Sequence, residues 1–162
     1  MPHYALALIC TNGHVITSLL DVNRQHSQKF CTQCGAPTIA VCAACGKPIR
    51  GSYYDPNWQL DYDGTYNKPA FCHNCGRPYP WTDSKLRAAR ALSDELDNLT
   101  PDERDLLKKS LDDIVRDTPQ TTLSALRFKK IAAKAGLTAA NALRDILVDI
   151  VSEAAKKVIW PT

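Results

Sequence analysis

Seven cysteines and one histidine between residues 10 and 75 are the side chains here whose type and spacing point to chemistry. Six of the cysteines form three pairs with two residues between them: Cys31/Cys34, Cys42/Cys45 and Cys72/Cys75. Upstream, Cys10 and His14 form a fourth pair with one more spacer residue, in the run Cys10-Thr11-Asn12-Gly13-His14. The longer imidazole ligand suits the longer loop. Eight such ligands complete two closed tetrahedral sets, and without His14 one set would be a ligand short. The chemistry they predict is metal coordination: two zinc ions per chain, with iron as the alternative for the all-cysteine set.

The three cysteine pairs are copies of one motif. Cys31-Thr32-Gln33-Cys34-Gly35-Ala36-Pro37, Cys42-Ala43-Ala44-Cys45-Gly46-Lys47-Pro48 and Cys72-His73-Asn74-Cys75-Gly76-Arg77-Pro78 all read Cys-x-x-Cys-Gly-x-Pro. Two intervening residues let backbone N–H groups turn inward to the first sulfur, and the glycine supplies a left-handed turn. Two pairings remain open. A sequential arrangement joins Cys10, His14, Cys31 and Cys34, then Cys42, Cys45, Cys72 and Cys75. A cross-braced one joins the first pair to the third and the second to the fourth. Smaller loops and independent folding favour the sequential arrangement. His73 reads as an exposed knuckle residue, and His3 and His26 have no assigned role.

Strands and turns must hold these ligands. Tyr4 to Ile9 reads as a short strand, Asn12-Gly13 as a tight hairpin with positive φ, and Val15 to Leu20 as the returning strand. Gly51 to Ala70, with turn signals at 54–57 and 63–64, should add one or two strands carrying aromatics over the second site. Arg50, Lys68 and Arg77 near these aromatics suggest a nucleic-acid stacking platform. The interleaved Asp55, Asp61 and Asp63 favour a structural role, because a small ribbon needs large side chains to bury area.

Composition changes abruptly near residue 82. All cysteines precede it, and eight of the twelve aromatics lie between Tyr53 and Trp81; the remainder is rich in Ala, Leu, Asp, Arg and Lys. The expected organisation is α+β: a small β-rich double zinc ribbon over 1–81, then an all-α helical module over 82–162. Thr82-Asp83-Ser84 offers N-caps for a helix to about Leu99, and Thr100-Pro101-Asp102-Glu103 is a capping box opening a second. That second helix turns Leu107, Leu111, Ile114 and Val115 inward. A third covers about 120–135 with Leu123, Leu126, Ile131 and Ala135 inward. The fourth is expected to run unbroken from Thr138 to about Ile159, long enough to suggest self-association through helices three and four.

The net charge of +3, from 20 basic and 17 acidic residues, lacks the excess of an electrostatically driven nucleic-acid binder. No apolar run of about 18 residues is present, and no signal peptide opens the chain, so the cysteines read as reduced thiolates in a cytoplasmic protein. Closed ligand sets leave no position for a reactive water, which argues against an enzyme.

The runs Cys10-x-x-Gly13-His14-Val15, Phe30-Cys31-x-x-Cys34-Gly35, Cys42-x-x-Cys45 with Ile49-Arg50-Gly51, and Phe71-Cys72-His73-Asn74-Cys75-Gly76 carry a resemblance. With Tyr79-Pro80-Trp81 and Arg127-Phe128-Lys129, the sequence resembles an uncharacterised bacterial zinc-ribbon family, domain of unknown function family 2321. The resemblance implies a bacterial, cytosolic, metal-binding protein and brings no activity with it. The expected role is an adaptor whose ribbons present a recognition surface while the helices bind a copy of the chain or an unidentified protein partner. The alternative is nucleic-acid binding through Arg50, Lys68 and Arg77; membrane insertion is disfavoured because both charge signs alternate along the last helix.

Overall fold

Alternating residues open the chain, yet Tyr4 to Ile9 is not one strand. In the computed structural model, which describes residues 1–58 and 65–162, it divides into β1 (His3–Leu6) and β2 (Leu8–Cys10). The pairing slips between Tyr4 and Leu6, and Ala7 donates its N–H to the Ile49 carbonyl at 3.0 Å. The chain thereby switches sheets at Ala7. The remaining strands are β3 (Val15–Thr17), β4 (Thr38–Ile39) and β5 (Arg50–Tyr54). β1 and β5 form an antiparallel pair, and β3-β2-β4 form an antiparallel sheet of three. Arg24–His26 makes one 3-10 turn between them.

Gly51 shows how tightly these short strands are folded together. A Cβ there would lie 2.1 Å from the Ser18 carbonyl oxygen and 2.8 Å from that of Ala5, so no other residue fits. At the Cys10–His14 turn only Gly13 has a positive φ (93°); Asn12, expected to share it, does not. The returning strand is also shorter than expected, ending at Thr17. Expected features at Asp61, Tyr62, Asp63 and Gly64 lie outside the described residues.

The chain divides into two compact units, Met1–Asp83 and Ser84–Thr162. The arrangement is α+β, with five helices following the strands: α1 (Pro80–Asp94), α2 (Pro101–Ile114), α3 (Thr121–Ala135), α4 (Leu137–Leu147) and α5 (Glu153–Ile159). α1 starts two residues before the expected caps, with proline at its first position, where the missing N–H costs nothing. Thr82 is instead buried, its hydroxyl donating to the Ala70 carbonyl at 2.8 Å. α1 also stops at Asp94 rather than near Leu99. The capping box of α2 forms as read: Thr100 accepts from the Glu103 N–H and Glu103 accepts from the Thr100 N–H.

Two helical expectations are corrected. α3 turns Thr121, Ser124, Ala125, Phe128, Ile131, Ala132 and Ala135 inward, a full three-four spacing, while Leu123 and Leu126 are about half exposed. The leucines attracted the sequence reading, but only the stripe built on Phe128 continues for four turns. The expected long fourth helix breaks between Leu147 and Glu153 into α4 and α5. Unbroken, it would extend about 33 Å, beside an α2 of about 21 Å. The break has local causes. Ser152 caps α5 by accepting from the Ala155 N–H, and its own N–H donates to the Ile114 carbonyl at 2.9 Å. α5 then folds against α3, and Leu143, Leu147, Ile150, Val151, Ala155 and Ile159 are buried within the unit. That stripe is therefore used internally.

Phe128→Ala should lower unfolding free energy by about 3–5 kcal/mol. Leu126→Ala should change it by no more than about 0.5 kcal/mol. Urea denaturation of the two variants checks this; equal losses would mean that the phase of α3 is wrong.

Candidate metal centres

Each cysteine pair sits on the same short ribbon. Bridges join Phe30 to Pro37, Val41 to Pro48 and Phe71 to Pro78, so each motif forms a two-legged knuckle. Within each, the first cysteine donates its N–H to residue i+5 and accepts from the glycine at i+4, at 2.8–2.9 Å. Gly35, Gly46 and Gly76 have φ of 72°, 74° and 72°. A Cβ would meet nothing within 4 Å at any of them, so it is backbone conformation, not space, that selects glycine there. The fourth corner is the turn after β2. Cys10 donates its N–H to the His14 carbonyl at 3.0 Å, and Gly13 donates to the Cys10 carbonyl at 2.8 Å.

The fold gathers these corners sequentially. Cys10, His14, Cys31 and Cys34 form one group, and Cys42, Cys45, Cys72 and Cys75 form the other, with each group's ligand atoms all within 4.8 Å of one another. In the first group His14 Nδ1 lies 3.4 Å from Cys10 Sγ and 3.5 Å from Cys31 Sγ, and Cys10 Sγ lies 3.8 Å from Cys34 Sγ. In the second, Cys42 to Cys75 is 3.8 Å and Cys45 to Cys72 is 3.6 Å. A zinc ion with bonds of about 2.3 Å to sulfur and 2.0 Å to nitrogen has tetrahedral edges of about 3.8 Å and 3.5 Å. The donor sets fit such an ion. They are far from the roughly 2.05 Å of a disulfide.

Surrounding N–H groups prepare the sulfurs. The His14 N–H points at Cys10 (3.2 Å), the Gln33 N–H at Cys31 (3.4 Å) and the Asn74 N–H at Cys72 (3.4 Å), while the Asn12 amide donates to Cys34 at 3.4 Å. The Ala36 N–H and the Asn12 amide draw Cys34 down to about 6. The N–H groups of Cys75 and Asn74 draw Cys72 to about 6. Burial pushes Cys10 up. The Arg77 N–H lowers Cys75, but desolvation and hydrogen bonds with the neighbouring sulfurs carry it to about 11. These N–H groups favour the ionised form of Cys34 and Cys72, and the thiolate is the form that binds metal.

The candidate nucleic-acid residues have separate surroundings. Arg50 is exposed on β5 with its guanidinium 4.9 Å from the Tyr4 ring centre. Lys68 is half-buried, its Cε close against Gly13. Arg77 is exposed on the third knuckle, where its carbonyl accepts the Cys72 N–H. Sequence reasoning overlooked Tyr4, which lies across from Tyr53 in the β1–β5 pair with ring centres 5.4 Å apart. It also overlooked Asn12 as a donor to sulfur. The only signal for Asn12 was its place inside the Cys10–His14 spacer.

The chain matches, over residues 3–159, the family described as an uncharacterized protein conserved in bacteria, DUF2321. It belongs to that family. No curated protein and no solved structure matches it. Among the described residues, no helix is long and apolar enough to cross a membrane.

At saturating zinc, His14→Ala should lower bound metal from about two ions per chain to about one, because three thiolates alone leave a site open. Elemental analysis after gel filtration reads this directly. Unchanged metal content would remove His14 from the ligand set.

Proposed function

We propose that the protein is a zinc-binding adaptor of the bacterial cytoplasm, with two structural zinc ribbons, no catalytic role, and a protein as its partner. The observation that carries this reading is the completeness of both donor groups: four protein ligands each, at tetrahedral spacing, with no position left for a reactive water. Closed sites of this kind hold a surface in place. Here that surface is the β1–β5 pair, where Tyr4 and Tyr53 are 56% and 59% exposed and Arg50 covers Tyr4. Tyrosine and arginine are the residue types that dominate binding energy at protein interfaces.

Charge favours protein over nucleic acid as the partner. Residues 1–83 carry six cations (Arg24, Lys29, Lys47, Arg50, Lys68, Arg77) and five carboxylates (Asp21, Asp55, Asp61, Asp63, Asp83). A zinc with three thiolates adds a formal charge of about −1, and one with four adds about −2. The loaded ribbon unit is therefore net negative. In the helical unit, Arg127 and Lys130 share the exposed side of α3 with Leu123 and Leu126. Two copies facing each other there would set like charges opposite one another, so this face suits an acidic partner segment better than a symmetric dimer.

Affinity capture from bacterial lysate, with wild type and the Tyr4→Ala/Tyr53→Ala double variant, tests the adaptor reading. The expected result is a protein enriched by wild type, resistant to nuclease treatment and lost with the variant. Capture abolished by nuclease would favour nucleic acid held through Arg50, Lys68 and Arg77, and identical capture by both proteins would remove the tyrosine face.

A further inference from the structure

Tyr79 is buried, 1% exposed, and its hydroxyl has no hydrogen-bond partner among the described residues. A buried O–H without an acceptor is costly and calls for an explanation. Its position supplies one. Tyr79 donates its N–H to Ala70 at 3.0 Å, Phe71 bridges Pro78, and Cys72 donates its N–H to Arg77 at 2.8 Å. In this antiparallel ladder Tyr79 and Cys72 are diagonal neighbours on one face, within reach of an aromatic side chain. A phenol carries its proton at neutral pH, so this hydroxyl is available as a donor.

The ring of Tyr79 reaches toward the other group as well. It stacks on Trp81, with centres 4.7 Å apart and planes 23° from parallel. Trp81 is fully buried, its indole Nε1 donating to the Pro69 carbonyl at 3.0 Å. Trp81 also closes on Gly13, where an added Cβ would lie 2.9 Å from the Trp81 Cβ. Gly13 is inside the turn that carries Cys10 and His14. A path thus runs from the knuckle that carries Cys72, through two stacked aromatic rings, to the ligand turn of the first group.

We propose that Tyr79 donates its O–H to the metal-bound thiolate of Cys72, and that the Tyr79–Trp81 stack couples filling of the second group to ordering of the Cys10–His14 turn. The proposal rests on the two-metal reading above. A metal-bound thiolate is the acceptor that the hydroxyl otherwise lacks, and outer hydrogen bonds of this kind orient ligands and tighten metal binding. The stack gives the two groups a shared rigid wall, so a metal that fixes one side lowers the ordering cost on the other.

Cadmium-113 NMR of the full chain loaded with cadmium separates a four-sulfur site from a three-sulfur, one-nitrogen site. Tyr79→Phe keeps the ring and removes only the hydroxyl. The expected result is a shifted four-sulfur line and release to a chelator about 10-fold faster from that site. An unchanged line and rate would overturn the hydrogen bond. For the coupling, native mass spectrometry of wild type with one equivalent of metal should show mainly empty and doubly loaded molecules, whereas Trp81→Leu should accumulate the singly loaded form. Predominant single loading in wild type would overturn it. Fewer than two cadmium ions on saturated wild type is a different failure, that of the two-metal reading itself.

Discussion

Sulfur donors held within 4.8 Å of one another repel once they are thiolates, unless a cation lies between them. That constraint governs the whole N-terminal unit. Among the described residues its longest strand has five residues and its sheets have two and three strands, so sheet pairing alone is a weak source of stability. The ligand groups act as its interior instead. Cys10, Cys31, Cys42 and Cys72 are among its most buried side chains, beside Ile9, Ile49, Tyr79 and Trp81. Metal binding and folding should therefore be one event here, since the donors converge only when the knuckles and the β2–β3 turn are in place.

The helical unit is held by ordinary packing. Leu107, Leu111 and Ile114 of α2, Phe128 of α3 and Leu143 and Leu147 of α4 are all but fully buried, and α5 closes over α3. Around them, ion pairs such as Lys134–Glu103 and Lys108–Asp94 lie at the surface, where each contributes little. On the metal-binding reading, the two units keep their folds by different physics: coordination in one, apolar burial in the other.

The metal groups were legible in the sequence because coordination leaves its mark in residue type and spacing, independent of tertiary context. The grouping followed from loop length, and His14 from counting ligands. The helices were legible where local chemistry decides, as in the Thr100–Glu103 box. They were misread where it does not. Leu123 and Leu126 are apolar yet exposed, because Phe128 and the small residues Ser124, Ala125 and Ala132 set the packed face. The interruption of the last helix did have a local signal, Ser152 before Glu153, but a continuous apolar stripe concealed it. Tyr4 was not recognisable as part of a surface, since its partner Tyr53 is 49 residues away in sequence and joins it only through the β1–β5 register. Tyr79 presents the same problem, as its burial depends on the knuckle that precedes it.

The central claim is the composition of the two ligand shells, and zinc K-edge X-ray absorption of the purified, metal-loaded protein tests it most directly. Seven thiolates and one imidazole shared between two closed sites require an average of about 3.5 sulfurs at about 2.3 Å and half a nitrogen at about 2.0 Å per zinc. A shell of that composition would establish both ribbons together. A shell dominated by oxygen, or with markedly fewer sulfurs, would contradict the closed sites and the non-catalytic role proposed from them.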